Sequence, residues 1–175
     1  MNHESAPGYD GRNHRAEREI LAAIDADGLA EAIRAAGCAV TRIEGTGAPL
    51  HSACHGVGFE VLWGNAADDG GYVDFTLACT LRVSGGEVPR VLADGWHRSR
   101  RFARVATHGD RLALEMDVVL HGGVTRAHLM AMLQLWMRMT GEFLLHLRGT
   151  AAVGQAGGAA EAEEAARAAQ AASAA

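Results

Sequence analysis

His51, Cys54 and His55 form the run H-x-x-C-H. Neutral imidazole and thiolate are both good zinc ligands, and Cys79 or Asp74 could supply a fourth. The adjacency of Cys54 and His55 works against such a site. Neighbours on an extended strand point to opposite faces, so only a turn there lets both reach one ion. The competing reading is a polar strand end with a half-buried cysteine. No metal and no other cofactor is therefore expected, and His51, Cys54 and His55 stand as weak candidates only.

Arg98, Arg100, Arg101 and Arg104 form the one basic cluster. Arginine forks suit phosphate or carboxylate, so the cluster could hold an anion or an acidic partner. The structural alternative pairs these side chains with Glu115 and Asp117, or with Glu142, and pins helix to sheet. Glu115 and Asp117 sit at alternate strand positions on one face and could also be read as a carboxylate pair for acid/base work, as in a hydrolase. No nucleophile or oxyanion site accompanies them, so no catalytic residue is assigned and no enzyme is expected. Gly45-x-Gly47 lacks the following helix and the Lys-Ser/Thr of a phosphate loop, and Ser52, Ser84 and Ser99 carry no elbow motif.

Trp96 and Trp136 are large anchors that fill a core or, if exposed, mark a partner site. Met130, Met132, Met137 and Met139 are flexible and polarisable, as in adaptable binding surfaces, and equally serve as core filling. Trp96, Arg98, Arg101, Arg104, Trp136, Met130 and Met137 are accordingly the candidate ligand or partner contacts.

These residues must be positioned by the stretch from Trp96 to Leu147. Arg101 to His108 reads as a strand, with Phe102, Val105 and Thr107 favouring extension, and His108-Gly109-Asp110 as a hairpin turn. Arg111 to Leu120 alternates strictly. Leu112, Leu114, Met116, Val118 and Leu120 face inward, while Ala113, Glu115, Asp117 and Val119 face outward. Gly122-Gly123 ends the strand, and Thr125 can cap a helix from Arg126 to about Arg148. Its apolar stripe is Leu129, Leu133, Trp136, Phe143 and Leu147, flanked by Met130, Met137 and Leu144 and by Met132, Leu135 and Met139. At 1.5 Å per residue this helix is roughly 35 Å long. So wide an apolar arc suggests burial on more than one side, against the chain's own sheet and also a second chain.

Upstream, residues 1–18 are polar and read as a disordered leader. Ile20, Leu21 and Ile24 open a hydrophobic pattern. Asp25 or Asp27 can cap a helix using Leu29, Ala30 and Ile33, with Gly37 ending it. Strands are expected over Cys38–Glu44, Pro49–Cys54, Gly56–Trp63 and Tyr72–Val83. The last two face inward through Phe59, Val61 and Trp63 and through Val73, Phe75, Leu77, Cys79 and Leu81. Ser84-Gly85-Gly86 breaks the pattern, and Pro89 to about Arg100 reads as a short helix. After Gly149 the chain is Ala- and Gly-rich with no apolar face, a flexible tail over 149–175 that is partly helical. Segregated helices around three or four strands, then two, give an α+β fold with a mainly antiparallel sheet, and the domain spans 19–148.

The chain has 175 residues, enough for one domain with tails. A net charge of −5 argues against a nucleic-acid binder. Cys38, Cys54 and Cys79 are odd in number, without zinc-type spacing, and read as reduced thiols of a cytoplasmic protein. Met1 to Glu19 holds no apolar signal core, and no apolar run reaches about 18 residues, so no membrane span is expected.

W-x-R-x-R-R-F-x-R, then L-E-M-D-V, G-G-V-T and an L-x-x-W helix closing on a Phe resemble the YbjN family of bacterial proteins. The residues concerned are Trp96, Arg98, Arg100, Arg101, Phe102, Arg104, Leu114 to Val118, Gly122 to Thr125, Trp136 and Phe143. The family usually has Asn after the Trp, and here that position is His97. The resemblance implies a sensory-transduction regulator with a type III secretion chaperone-like fold, α-βββ-α-ββ-α, in which sheet and helices pair across a two-fold axis. The expectation is a non-enzymatic, cytoplasmic, homodimeric module that binds a protein partner in chaperone-like fashion. The alternative is a sensor domain for a small anion, at the Arg98–Arg104 cluster, or for a metal.

Overall fold

A computed structural model describes residues 19–42, 45, 47–68, 70–82 and 90–173, with side chains as far as Gly149. The leader, the Ser84-Gly85-Gly86 break and Pro89 lie outside the described residues. The chain forms β1 (Ile20–Leu21), α1 (Ala26–Ala35), β2 (Ala39–Arg42), β3 (Leu50–Cys54), β4 (Val57–Trp63), β5 (Asp74–Arg82), α2 (Arg90–Ser99), β6 (Arg104–His108), β7 (Arg111–Val119), β8 (Val124–Thr125) and α3 (Arg126–Ser173). This is the α+β class that patterning predicts, with four strands between the first two helices where the chaperone-like layout has three. Two further two-residue strands, β1 and β8, pair with each other.

The main sheet has six strands in the order β2-β3-β4-β5-β7-β6, and every pairing is antiparallel. Alternation decides its faces. Leu112, Leu114, Met116 and Val118 of β7 are buried, as are Phe75, Leu77 and Cys79 of β5 and Phe59 and Val61 of β4. The other parity forms a ladder row across the whole sheet: Thr41, His51, Glu60, Ala78, Glu115 and Arg104.

The helix ends follow local chemistry. Asp25 accepts the Gly28 N–H at 2.8 Å, and Thr125 accepts the His128 N–H at 3.1 Å, so each caps the helix it precedes. Gly37, at φ 93°, closes α1. Its N–H reaches the Arg34 carbonyl and the Cys38 N–H reaches that of Ile33, a Schellman ending that fixes where β2 begins.

The wide apolar arc of α3 is covered within one chain. Leu129, Leu133, Trp136, Met139 and Phe143 are buried, and Met130, Met132, Leu135, Met137 and Leu147 pack half-buried against the same core. The helix touches β7 and β8 as well as α1 and α2, so helices of its own chain flank it. Beyond Arg148, where the sequence reading ends it, α3 continues as one helix to Ser173. The abundance of Ala, with Glu and Arg, favours this.

Candidate functional site

The Arg-rich segment lies where α2 hands over to β6. Trp96 anchors it. Its side chain is 0% exposed, edge-on to Phe143 at 5.4 Å and to His146 at 5.7 Å, and its Nε1–H donates to the Ala103 carbonyl at 2.9 Å. One residue on, His97 Nε2 accepts the Val105 N–H at 2.9 Å. Two side chains of one helical turn thus clamp the backbone on either side of Arg104.

Just before the clamps the chain is not a strand. Phe102 has φ 74°, in the left-handed region, and is 63% exposed. The strand expected from Arg101 therefore starts only at Arg104. A bulky side chain in this conformation is strained by roughly 1–3 kcal/mol, and the hydrogen bonds at Ala103 and Val105 anchor the backbone that follows it. The Arg101 guanidinium lies over the Phe102 ring at 5.4 Å. Beside the ring is a cavity of about 300 Å³ lined by His97, Arg100, Arg101, Phe102, Arg104 and Asp117, among others.

The four arginines divide into two kinds. Arg104 donates to Glu115 at 2.8 Å, its cross-strand partner, and also to Asp117. Arg100 pairs with Glu142 of α3 at 2.6 Å and lies over Trp96 at 5.8 Å. The cross-strand pairing and the Arg100–Glu142 pairing are those the structural reading names, but the latter ties the end of α2 to α3 and not helix to sheet. Arg98 and Arg101 are exposed and have no carboxylate partner among the described residues. The Arg104 guanidinium holds the Asp117 carboxyl below the ordinary carboxylate range; burial opposes this and the Thr76 hydroxyl, at 2.7 Å, assists. Glu115 and Asp117 are both committed to Arg104, so this pair is not free for acid/base work.

Several sequence candidates fall elsewhere. Trp96 and Trp136 are both 0% exposed, so they are core residues and not contact surfaces. Trp136 stands edge-on to Phe59 at 5.6 Å. Met130 and Met137 are half-buried against the core, and the Met137 sulfur accepts the Cys38 thiol at 3.5 Å. His51, Cys54 and His55 do not converge. Cys54 faces the helices and His51 the open side of the sheet. His55 sits in the β3–β4 turn at φ 52° and bonds the Met137 carbonyl at 3.0 Å. No cluster of three or more His, Cys, Asp or Glu side chains suited to a metal is found among the described residues. Burial pushes up all three thiols, that of Cys79 to about 11; Ser52 opposes this at Cys38 and Thr140 at Cys54.

Sequence reasoning missed the exposure of Phe102. The one signal available was its place between an arginine pair and a small residue, directly after a helix.

No described helix is long and apolar enough to cross a membrane. The profile of the YbjN family, described as putative bacterial sensory transduction regulators, matches residues 25–148, more than half of the chain. The chain belongs to that family. No curated protein and no solved structure matches it.

Proposed function

We propose that this protein is a non-enzymatic regulatory module that acts by binding a protein partner at the α2–β6 corner, where Phe102 and Arg101 project together. The observation that carries this reading is Phe102 itself: a strained, exposed aromatic ring on a backbone anchored just beyond it by two hydrogen bonds, at Ala103 and Val105. Aromatic and arginine side chains are the residue types that most often dominate interfaces. The occupant that fits is a segment with an apolar side chain for the ring and cavity and a carboxylate for Arg101, held in chaperone-like fashion.

A small-anion sensor is less well supported, because Arg100 and Arg104 are already committed to carboxylates. Self-association through α3 loses its main argument now that its arc is covered, so a homodimer would have to use another surface, this corner included. Three unpaired thiols suit the reducing cytoplasm.

The test is a photo-crosslinking amino acid placed at Phe102 in the native host, with Leu145 and Val91, also exposed, as control positions. A discrete adduct at Phe102 alone supports the proposal and identifies the partner. Adducts at the controls only, or at none of the three, overturn it.

A further inference from the structure

Cys38 and Cys54 are 16 positions apart in sequence and are brought face to face by the fold. The last pair of the β2–β3 ladder is Ala39 with Ala53, and the same register carried one residue further sets Cys38 opposite Cys54. The β3–β4 hairpin settles what kind of pair this is. Cys54 opposes Val57 across a two-residue turn, His55-Gly56, with φ 52° and 76°. In such a hairpin the closing residues direct their N–H and C=O at each other, so those of Ala53 point the other way, to β2. Cys38 then faces Cys54 as a non-hydrogen-bonded pair, and its N–H is accordingly free to close α1 on Ile33. Pairs of this kind have Cα atoms about 4.5 Å apart and their side chains close together, inside the roughly 4.4–6.8 Å span of disulfides. Both side chains lie on the helix side of the sheet, and both are 8% exposed.

We propose that Cys38 and Cys54 are a redox modification site: a cross-strand dithiol that hydrogen peroxide closes into a disulfide. One thiol loses its proton and its sulfur attacks a peroxide oxygen. The O–O bond breaks, water leaves, and a sulfenic acid remains. The second sulfur attacks that sulfur and loses its own proton. The S–O bond breaks and a second water leaves. The two sulfurs give up two electrons in all, and the peroxide is reduced. Cys79 cannot take part. It lies on β5, two strands from Cys54, about 10 Å away at the usual strand spacing. Closing the bond removes the Cys38 thiol from the Met137 sulfur and the Cys54 thiol from Thr140, both on α3. Oxidation is thereby coupled to the long helix.

The experiment treats the full chain with hydrogen peroxide, alkylates the remaining thiols after unfolding, and maps the peptides by mass. The expected product has lost two hydrogens, carries one alkylated cysteine at Cys79, and yields a Cys38–Cys54 linked peptide. Hydrogen exchange should also rise around Met137–Gly141. The C54S variant should show no such loss of hydrogens. Three alkylated cysteines after exposure, oxygen added at single cysteines without linkage, or a link through Cys79 would each overturn the proposal.

Discussion

The His97 imidazole and the Val105 backbone meet at 2.9 Å, with Nε2 accepting the N–H. The ring therefore carries its proton on Nδ1. It ties the last turns of α2 to the edge strand β6, beside the strained link at Phe102. Replacing His97 with Ala leaves that N–H without its acceptor and should cost about 1 kcal/mol in urea unfolding. His97→Asn, the residue usual in the family at this position, keeps an acceptor oxygen and should lose less. Equal losses would show that the bond contributes nothing.

The two buried tryptophans should respond unequally to loss of the indole N–H. Trp96 donates to Ala103, whereas Trp136 Nε1 has no partner among the described residues. Trp96→Phe leaves a carbonyl unsatisfied; Trp136→Phe removes an unsatisfied donor. Trp96→Phe should be the more destabilising by about 1 kcal/mol or more, compared by chemical denaturation.

Arg104 sets the acid response of the open sheet face. Asp117 titrates below its ordinary range because Arg104 holds it ionised. A carboxyl depressed in the folded state contributes stability that is present above its unfolded pKa and lost as pH falls through the folded value. With both partners of the Arg104–Asp117 pair about half exposed, the contribution is at most about 1 kcal/mol. In Arg104→Ala the Asp117 carboxyl should titrate higher, read by NMR, and the loss of stability in acid should begin at higher pH. An unchanged Asp117 titration would show that the Arg104 contact is not made in solution.

Phe102 separates stability from binding. Phe102→Gly removes a strained side chain that buries little, so the fold should be as stable or up to about 1 kcal/mol more stable in thermal unfolding. Capture of the partner identified by crosslinking should fall at least tenfold. A marked loss of stability would instead make Phe102 a structural residue.

The sequence alone determined the class, the element order and which strand positions face the core, because alternation of period two fixes faces locally. Leu112, Leu114, Met116 and Val118 are buried as their spacing predicts. The caps at Thr125 and at Asp25, one of the two aspartates offered, were legible too, since each involves contacts within three residues. The pairing of Arg104 with Glu115 was legible too, because a hairpin makes them neighbours. Only the tertiary structure decided the rest. Whether the arc of α3 meets a partner chain or α1 and α2 depends on contacts that span about a hundred residues. That Phe102 leaves the strand goes with Trp96 and His97 gripping the backbone just after it, at Ala103 and Val105, which no propensity encodes. The register that carries Cys38 toward Cys54 depends on a helix ending and a tight turn between two strands. Local pattern records the faces of elements, and register and docking between distant elements place the side chains that a partner or an oxidant would meet.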